Sequence, residues 1–239
     1  MRAIPWIAVM IVAAAGMAAA RQAAYQTDTF KTASGDLQIG FLGHSSLMFR
    51  YGEAVIYADP VSQYGDFASL PKADLILVTH EHGDHLDPKA IEAVRKEGTV
   101  LVGTAKCAAQ VPGMAAIANG ESRTVGGLKI EAVPAYNISK PFHPKGDGNG
   151  YVITFGDKRV YVAGDTENVP EIKALKNIDI AFLPMNLPYT MTPEMVADAA
   201  KAIAPRILYP YHYGSTETSR LVTLLANERG IELRIRNMR

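Results

Sequence analysis

From residue 37 onward the chain alternates short apolar runs with polar, glycine-rich breaks. Residues 37–42, 47–51 and 54–58 are apolar runs parted by Gly43-His44-Ser45-Ser46 and Gly52-Glu53, the signature of hairpin-linked strands. Residues 75–78 form a compact apolar run that reads as a buried strand and ends directly in Thr79-His80. Asp87-Pro88 is a helix start, a capping side chain followed by proline at the first helical position, and the helix should extend to Glu97 before Gly98. Strands follow at 99–103, 128–133, 151–155, 160–163, 178–183 and 207–209. Helices open at Thr192-Pro193, running to Ala204, and at 216–229, and a last strand is expected at 231–235. Residues 21–36 are polar with little periodicity and read as a loose arm. A strand-rich first half and a second half with interleaved helices, unbroken by a linker, predict sheets packed together with helices outside in one domain spanning 37–239.

The first twenty residues differ in kind. Arg2 is the only charge before an Ala-rich, uncharged stretch over 4–20, which closes in Ala18-Ala19-Ala20 before Arg21. That pattern predicts a secretory signal peptide cleaved after Ala20, and hence a periplasmic or secreted protein. A retained anchor helix is the alternative, although the stretch is short and only weakly apolar for a membrane span. With cleavage, no stable membrane association is expected.

Composition adds exclusions. In 239 residues, Lys+Arg and Asp+Glu both number 24, so no basic excess invites nucleic acid and a small-molecule substrate is expected. Cys107 is the single cysteine, which rules out an intramolecular disulfide and a thiolate zinc cluster, and it reads as a small buried hydrophobe.

The chemistry sits in Thr79-His80-Glu81-His82-Gly83-Asp84-His85, an H-x-H-x-D-H core. His80 and His82 are two apart, so an extended backbone points both the same way. Gly83 lets the chain turn, and Asp84 and His85 can then face a neighbouring position. Imidazole with carboxylate suits zinc, and also manganese or iron. Further ligands must come from far along the chain. Asp165 and His212 each follow an apolar run and stand at predicted strand ends. Asp59, after the run 54–58, reads as an acceptor for a ligand histidine N–H, or else as a simple turn residue. Tyr189 and Asn186 lie in a proline-containing loop that reads slightly better as a packed connector than as a pocket wall.

These motifs resemble the metallo-β-lactamase superfamily, and within it the group similar to ascorbate-6-phosphate lactonase and N-acyl-phosphatidylethanolamine phospholipase D. The resemblance spans roughly 37–235 and rests on Gly43-His44-Ser45-Ser46, Ala58-Asp59-Pro60, the His80–His85 segment, Ala163-Gly164-Asp165-Thr166 and His212. It implies an αββα sandwich (fold class α/β) with two metals, most simply Zn2+, at one edge. It further implies that His80 and His82 bind the first metal, that Asp84, His85 and His212 bind the second, and that Asp165 bridges them. Asp84 would also hold the attacking water, and His44 would approach the substrate, the alternative for His44 being a turn histidine bonded to nearby backbone. The expected activity is hydrolysis of an ester, lactone or phosphodiester by metal-activated water. A nuclease, a β-lactamase and a metal-binding protein without hydrolase activity are the alternatives.

One departure stands out. The family's third histidine for the first metal should follow the run that ends Val133-Pro134-Ala135-Tyr136, where this chain has Asn137. His143, six residues on in a Gly- and Pro-rich loop, is the expected replacement; the competing readings are a solvent-exposed loop histidine, ligation by Asn137, or a one-metal centre.

Overall fold

The computed structural model describes residues 25–239, so the signal-peptide expectation for residues 1–20 lies outside the described residues. Two seven-stranded sheets carry the fold, and in each the strands neighbour one another in chain order. The first contains β1 (Gln26–Thr32), β2 (Gly35–Gly43), β3 (Ser46–Tyr51), β4 (Ala54–Ala58), β5 (Leu75–Leu77), β6 (Val100–Gly103) and β7 (Met114–Ala116). The second contains β8 (Ser122–Val125), β9 (Leu128–Ala135), β10 (Gly148–Phe155), β11 (Lys158–Val162), β12 (Ile180–Pro184), β13 (Ile207–Tyr211) and β14 (Glu232–Leu233). Both halves follow one plan. The first four strands pair antiparallel, and the fourth and later strands pair parallel.

Parallel neighbours need crossovers, and most of these carry helices. Helix α1 (Pro88–Val94) joins β5 to β6, and α2 (Ala105–Ala108) joins β6 to β7. In the second half α3 (Pro170–Lys173), α4 (Pro193–Ile203) and α5 (Ser219–Leu225) connect β11 through β14. The α1 start is as the sequence predicts: Asp87 accepts from the Lys89 amide, with Pro88 at the first position. Thr192 caps α4 in the same way by accepting from Met195, and Ala204 ends that helix in a left-handed conformation.

The sheets pack face to face. Phe49 stacks on Phe155 at 5.6 Å between ring centroids, and Phe41 lies 5.0 Å from Tyr209. Alternate residues of β2 (Leu37, Ile39, Phe41) meet Tyr151, Ile153 and Phe155 of β10 in this inner core. On the outer face of the first sheet, Ile76, Val78 and Leu101 pack with Ala90, Ile91 and Val94 of α1. Helix α4 buries Val196, Ala199, Ala200 and Ile203 on the second sheet. The architecture is therefore the expected αββα sandwich.

Several expectations need correction. Residues 21–36 are not simply a loose arm, because residues 26–32 form β1, paired with β2 along its whole length. The strand hides in sequence because it lies at a sheet edge and only Phe30 packs against the core, so its side chains are polar on both sides. Helix α1 stops at Val94 rather than Glu97, because Arg95 turns extended and Thr99 accepts from the Lys96 amide to close a turn. Helix α5 and β14 are shorter than their patterns suggested, and the one-turn α2 and α3 and the short β7 and β8 were below the length at which periodicity speaks.

Candidate metal centre

The parallel strands β4, β5, β11 and β13 end on one rim, and each delivers a chemical group there. β4 leads into Asp59, which is fully buried with φ at 46°. Its carboxylate accepts from the Thr79 amide at 2.8 Å, the Thr79 hydroxyl at 2.7 Å and His85 Nδ1 at 2.7 Å. Asp59 is thus the acceptor read from the sequence: it fixes the His85 ring so that Nε2 faces the rim. β5 leads into Thr79-His80, and the His85 amide donates to the His82 carbonyl to close the turn that carries Asp84.

β11 leads through Ala163-Gly164 into Asp165. Gly164 sits at φ 66°, and a Cβ there would meet the Asn149 carbonyl at 2.8 Å and the Thr79 Cβ at 3.0 Å, so only glycine lets the strand end approach the His80 segment. β13 leads into His212, whose amide donates to the His44 carbonyl and ties this strand end to the turn after β2. Six non-glycine residues among those described have positive φ, and four of them (His44, Asp59, His143 and His212) belong to this rim. Each such residue carries a conformational cost on the order of 1 kcal/mol, and clustering of that cost is a mark of a functional site.

The ligand-type atoms fall into overlapping groups. Those of His80, His82 and His143 all lie within 4.8 Å of one another, as do those of His80, His85 and Asp165, and those of His44, Asp84 and His212. Asp165 stands between them. Its Oδ2 is 3.3 Å from His143 Nε2, while its Oδ1 is 3.3 Å from His85 Nε2 and 3.5 Å from His212 Nε2. Asp84 Oδ2 is 3.3 Å from both His212 Nε2 and His44 Nε2. The His85 Nε2 and Asp165 Oδ1 atoms, though close, are buried without a properly aligned hydrogen bond. Buried polar atoms left so are costly, and a cation between them would satisfy both. The neutral nitrogens and carboxylate oxygens present fit zinc, manganese or iron.

Electrostatics acts on the candidate donors in two directions. Burial lowers the pKa of His80, His143 and His44, which keeps their rings neutral. Burial opposes ionisation of Asp165 as well, but His212 and His85 outweigh it and hold that carboxyl well below the usual range. Burial likewise opposes ionisation of Asp84, and hydrogen bonds with His212 and His44 reverse it. For His85, burial disfavours the proton but Asp165 and Asp59 together raise its pKa.

All eight residues singled out in the sequence meet here: His44, His80, His82, Asp84, His85, His143, Asp165 and His212. The loop after β9 folds His143 back, with φ at 55°, so the reading as a solvent-exposed histidine does not hold; its side chain is 7% exposed. Asn137 lies behind it: its Nδ2 is 3.2 Å from His143 Nδ1 and donates to the Tyr189 carbonyl at 2.8 Å. Asn186 and Tyr189, read slightly in favour of a packed connector, instead line a cleft of about 380 Å3 together with Phe142 and the ligand-type residues. A larger recess, about 540 Å3, lies along Ser62–Ala68 and holds none of these groups.

Three contributors escaped the sequence. Thr79 joins Asp59 to the two histidines, with its hydroxyl 3.1 Å from His80 Nδ1 and 3.2 Å from His85 Nδ1. Tyr64 stacks under His44 at 4.5 Å. Glu167, two residues after Asp165, accepts from the Ile138 and Ser139 amides at 2.6 and 2.7 Å and from Lys140 Nζ at 2.7 Å, which anchors the loop that carries His143. Only adjacency to the motif could have flagged Thr79 and Glu167, and nothing local flags Tyr64.

Comparison with known proteins agrees with this geometry. Residues 38–212 match the β-lactamase superfamily domain. A UPF0173 metal-dependent hydrolase of Thermus thermophilus is 32% identical over 215 residues, covering 82% of this chain and 94% of the relative. The crystal structure of a candidate metal-dependent hydrolase from Parabacteroides distasonis is 50% identical with a TM-score of 0.88, covering 90% of this chain and 100% of that one. Igni18, a metallo hydrolase of Ignicoccus hospitalis, shares the fold at 23% identity and a TM-score of 0.69, covering 83% of this chain and 94% of its own.

Proposed function

We propose that this chain, which belongs to the metallo-β-lactamase superfamily and is a metal-dependent hydrolase, holds two divalent cations, most simply zinc, on either side of Asp165. His80, His82 and His143 hold the first, and Asp84, His85 and His212 hold the second. Manganese or iron suits the same donors. The observation that carries this reading is the placement of the two Asp165 oxygens, one beside His143 and the other beside His85 and His212.

Bound there, the cations supply Lewis acidity toward a substrate oxygen and lower the pKa of water near neutral pH. The protein's own groups do the rest. Asp59 and Thr79 set the His85 and His80 rings. His44, neutral through burial and stacked on Tyr64, steadies the Asp84 carboxylate at Oδ2. Asp84, 41% exposed at its side chain, is the carboxylate that reaches into the cleft and positions the attacking water by accepting a hydrogen bond from it. The substrate is a small molecule with an ester, lactone or phosphodiester bond.

Two finer assignments belong to the same proposal. Kinship with the ascorbate-6-phosphate lactonase and N-acyl-phosphatidylethanolamine phospholipase D group is supported by the Gly43-His44-Ser45-Ser46 turn, in which the Ser45 hydroxyl donates to the Asp84 carbonyl and the Ser46 hydroxyl to the Asp59 carbonyl. Export to the periplasm or medium is supported by the apolar stretch ending Ala18-Ala19-Ala20. Among the described residues no helix is long and apolar enough to cross a membrane.

The test is elemental mass spectrometry of the purified protein beside its His143→Ala variant. Two equivalents of metal in the native chain, falling to about one in the variant, is the expected result. Equal metal content in both removes His143 from the centre, and a folded protein that takes up no metal on titration sinks the proposal.

A further inference from the structure

The cleft before the metal centre has two unlike walls. One is the ligand set. The other is aromatic: the Phe142 and Tyr189 rings meet at 5.1 Å between centroids, tilted by 60°, and remain 38% and 45% exposed. Of the six large hydrophobic side chains exposed among the described residues, four (Ile138, Phe142, Leu187 and Tyr189) belong to the two loops that frame this cleft. Single exposed apolar residues are ordinary, but a cluster at the mouth of a polar site marks a surface that is covered in use. Both loops are held in place. The Tyr189 carbonyl accepts from Asn137, the Tyr189 amide donates to the Asn186 carbonyl, and the Asn186 amide donates to Thr190 Oγ1.

The charge on these walls narrows the ligand further. Among the described residues no Lys or Arg lines the cleft. The two lysines of the His143 loop are engaged elsewhere, Lys140 with Glu167 and Lys145 with Glu171, each at 2.7 Å. Beyond the cations, phosphate esters gain from Arg or Lys side chains, and among the described residues the cleft offers none. An uncharged carbonyl ester needs no such partner, and a hydrocarbon group on it gains by covering the two rings.

We propose that the substrate is an uncharged carboxylic ester or lactone bearing a hydrocarbon or aryl acyl group, and that this group lies against Phe142 and Tyr189. The inference rests on the hydrolase reading above. In the reaction, water adds to the carbonyl carbon, the acyl carbon–oxygen bond breaks, and the departing oxygen receives a proton. An ester yields a carboxylic acid and an alcohol, and a lactone yields a hydroxy acid.

The test uses the zinc-loaded full chain with p-nitrophenyl acetate, butyrate and octanoate, and with bis(p-nitrophenyl) phosphate. In parallel, acetate and octanoate are titrated calorimetrically into the same protein. The expected result is a kcat/KM for octanoate at least about tenfold above acetate, since each buried methylene contributes severalfold, with the phosphodiester the poorest substrate. Free octanoate should bind more tightly than free acetate. In Phe142→Ala/Tyr189→Ala the octanoate-to-acetate ratio should fall toward one in both assays while bound zinc stays constant. Turnover that is flat in chain length, a preference for the phosphodiester, or a ratio unmoved in the double variant would overturn the inference. Tighter octanoate binding without turnover of any probe would uphold the apolar subsite while sinking the ester- and phosphodiester-hydrolase reading beneath it; equal binding of the two acids would overturn the subsite itself.

Discussion

At the scale of single residues, Asp165 and Asp59 divide the labour of the centre. Asp165 faces the ligand nitrogens from between them, and Asp59 faces His85 from behind. Asp59→Asn keeps the shape but replaces a carboxylate acceptor of His85 Nδ1 with an amide. Zinc affinity, read by competition with a chromophoric chelator, should fall about 10- to 100-fold, the ordinary effect of losing such a partner; unchanged affinity would reduce Asp59 to a turn residue. The contiguous candidate ligands were legible in the sequence because H-x-H-x-D-H places them on one short turn. Asp59 was legible because a buried strand ends in it. His143 could be named only against rival readings, since a six-residue displacement from Asn137 carries no periodicity; the loop's fold buries its ring beside His80 and His82 and removes the solvent-exposed reading alone. Tyr64 was not legible, because stacking on His44 is a contact between two loops with no local signature.

At the scale of elements, the loop bearing His143 has no regular secondary structure and depends on Glu167. The carboxylate takes two backbone amides, the Ser139 hydroxyl and the Lys140 ammonium while its side chain is 2% exposed. Burial alone would raise its pKa, but Lys140 and Ser139 bring it down to about 2. Glu167→Gln removes the ionic half of this anchor and should lower stability by roughly 1.5–3 kcal/mol in chemical denaturation, the range for a hydrogen bond to a charged group. It should also weaken metal retention at the His80, His82 and His143 position more than at the other. Equal loss of both metals, or none, would detach the anchor from the site. The helix starts at Asp87-Pro88 and Thr192-Pro193 were plain in sequence because capping is local chemistry. β1 was not, since an edge strand is stabilised by its backbone ladder and leaves polar residues on both faces.

At the scale of the whole molecule, β1 does more than extend a sheet. Asp28 reaches across to the C-terminal segment, pairing with Arg236 at 2.7 Å and Arg234 at 3.2 Å and accepting from the Tyr209 hydroxyl. It clasps the edge of the first sheet to β13 and the chain end of the second. Burial opposes ionisation of Asp28, but Arg236 and Tyr209 outweigh it and hold the carboxyl below its ordinary value. A depressed folded pKa means that the clasp stabilises fully above the unfolded carboxylate value, about 3.9, and is lost as pH falls through the folded value. Denaturation midpoints should therefore drop between pH 6 and pH 3 more steeply in the native chain than in Asp28→Asn, which begins lower at pH 6. Parallel slopes would show that the clasp contributes nothing.

We propose a two-metal centre astride Asp165, completed by His143. Anomalous diffraction at the zinc edge from crystals of the zinc-loaded protein tests it most directly. Two peaks are expected, one against His80, His82 and His143 and one against Asp84, His85 and His212, with an Asp165 oxygen toward each. A single peak, or a first-site peak with His143 turned away, would contradict it.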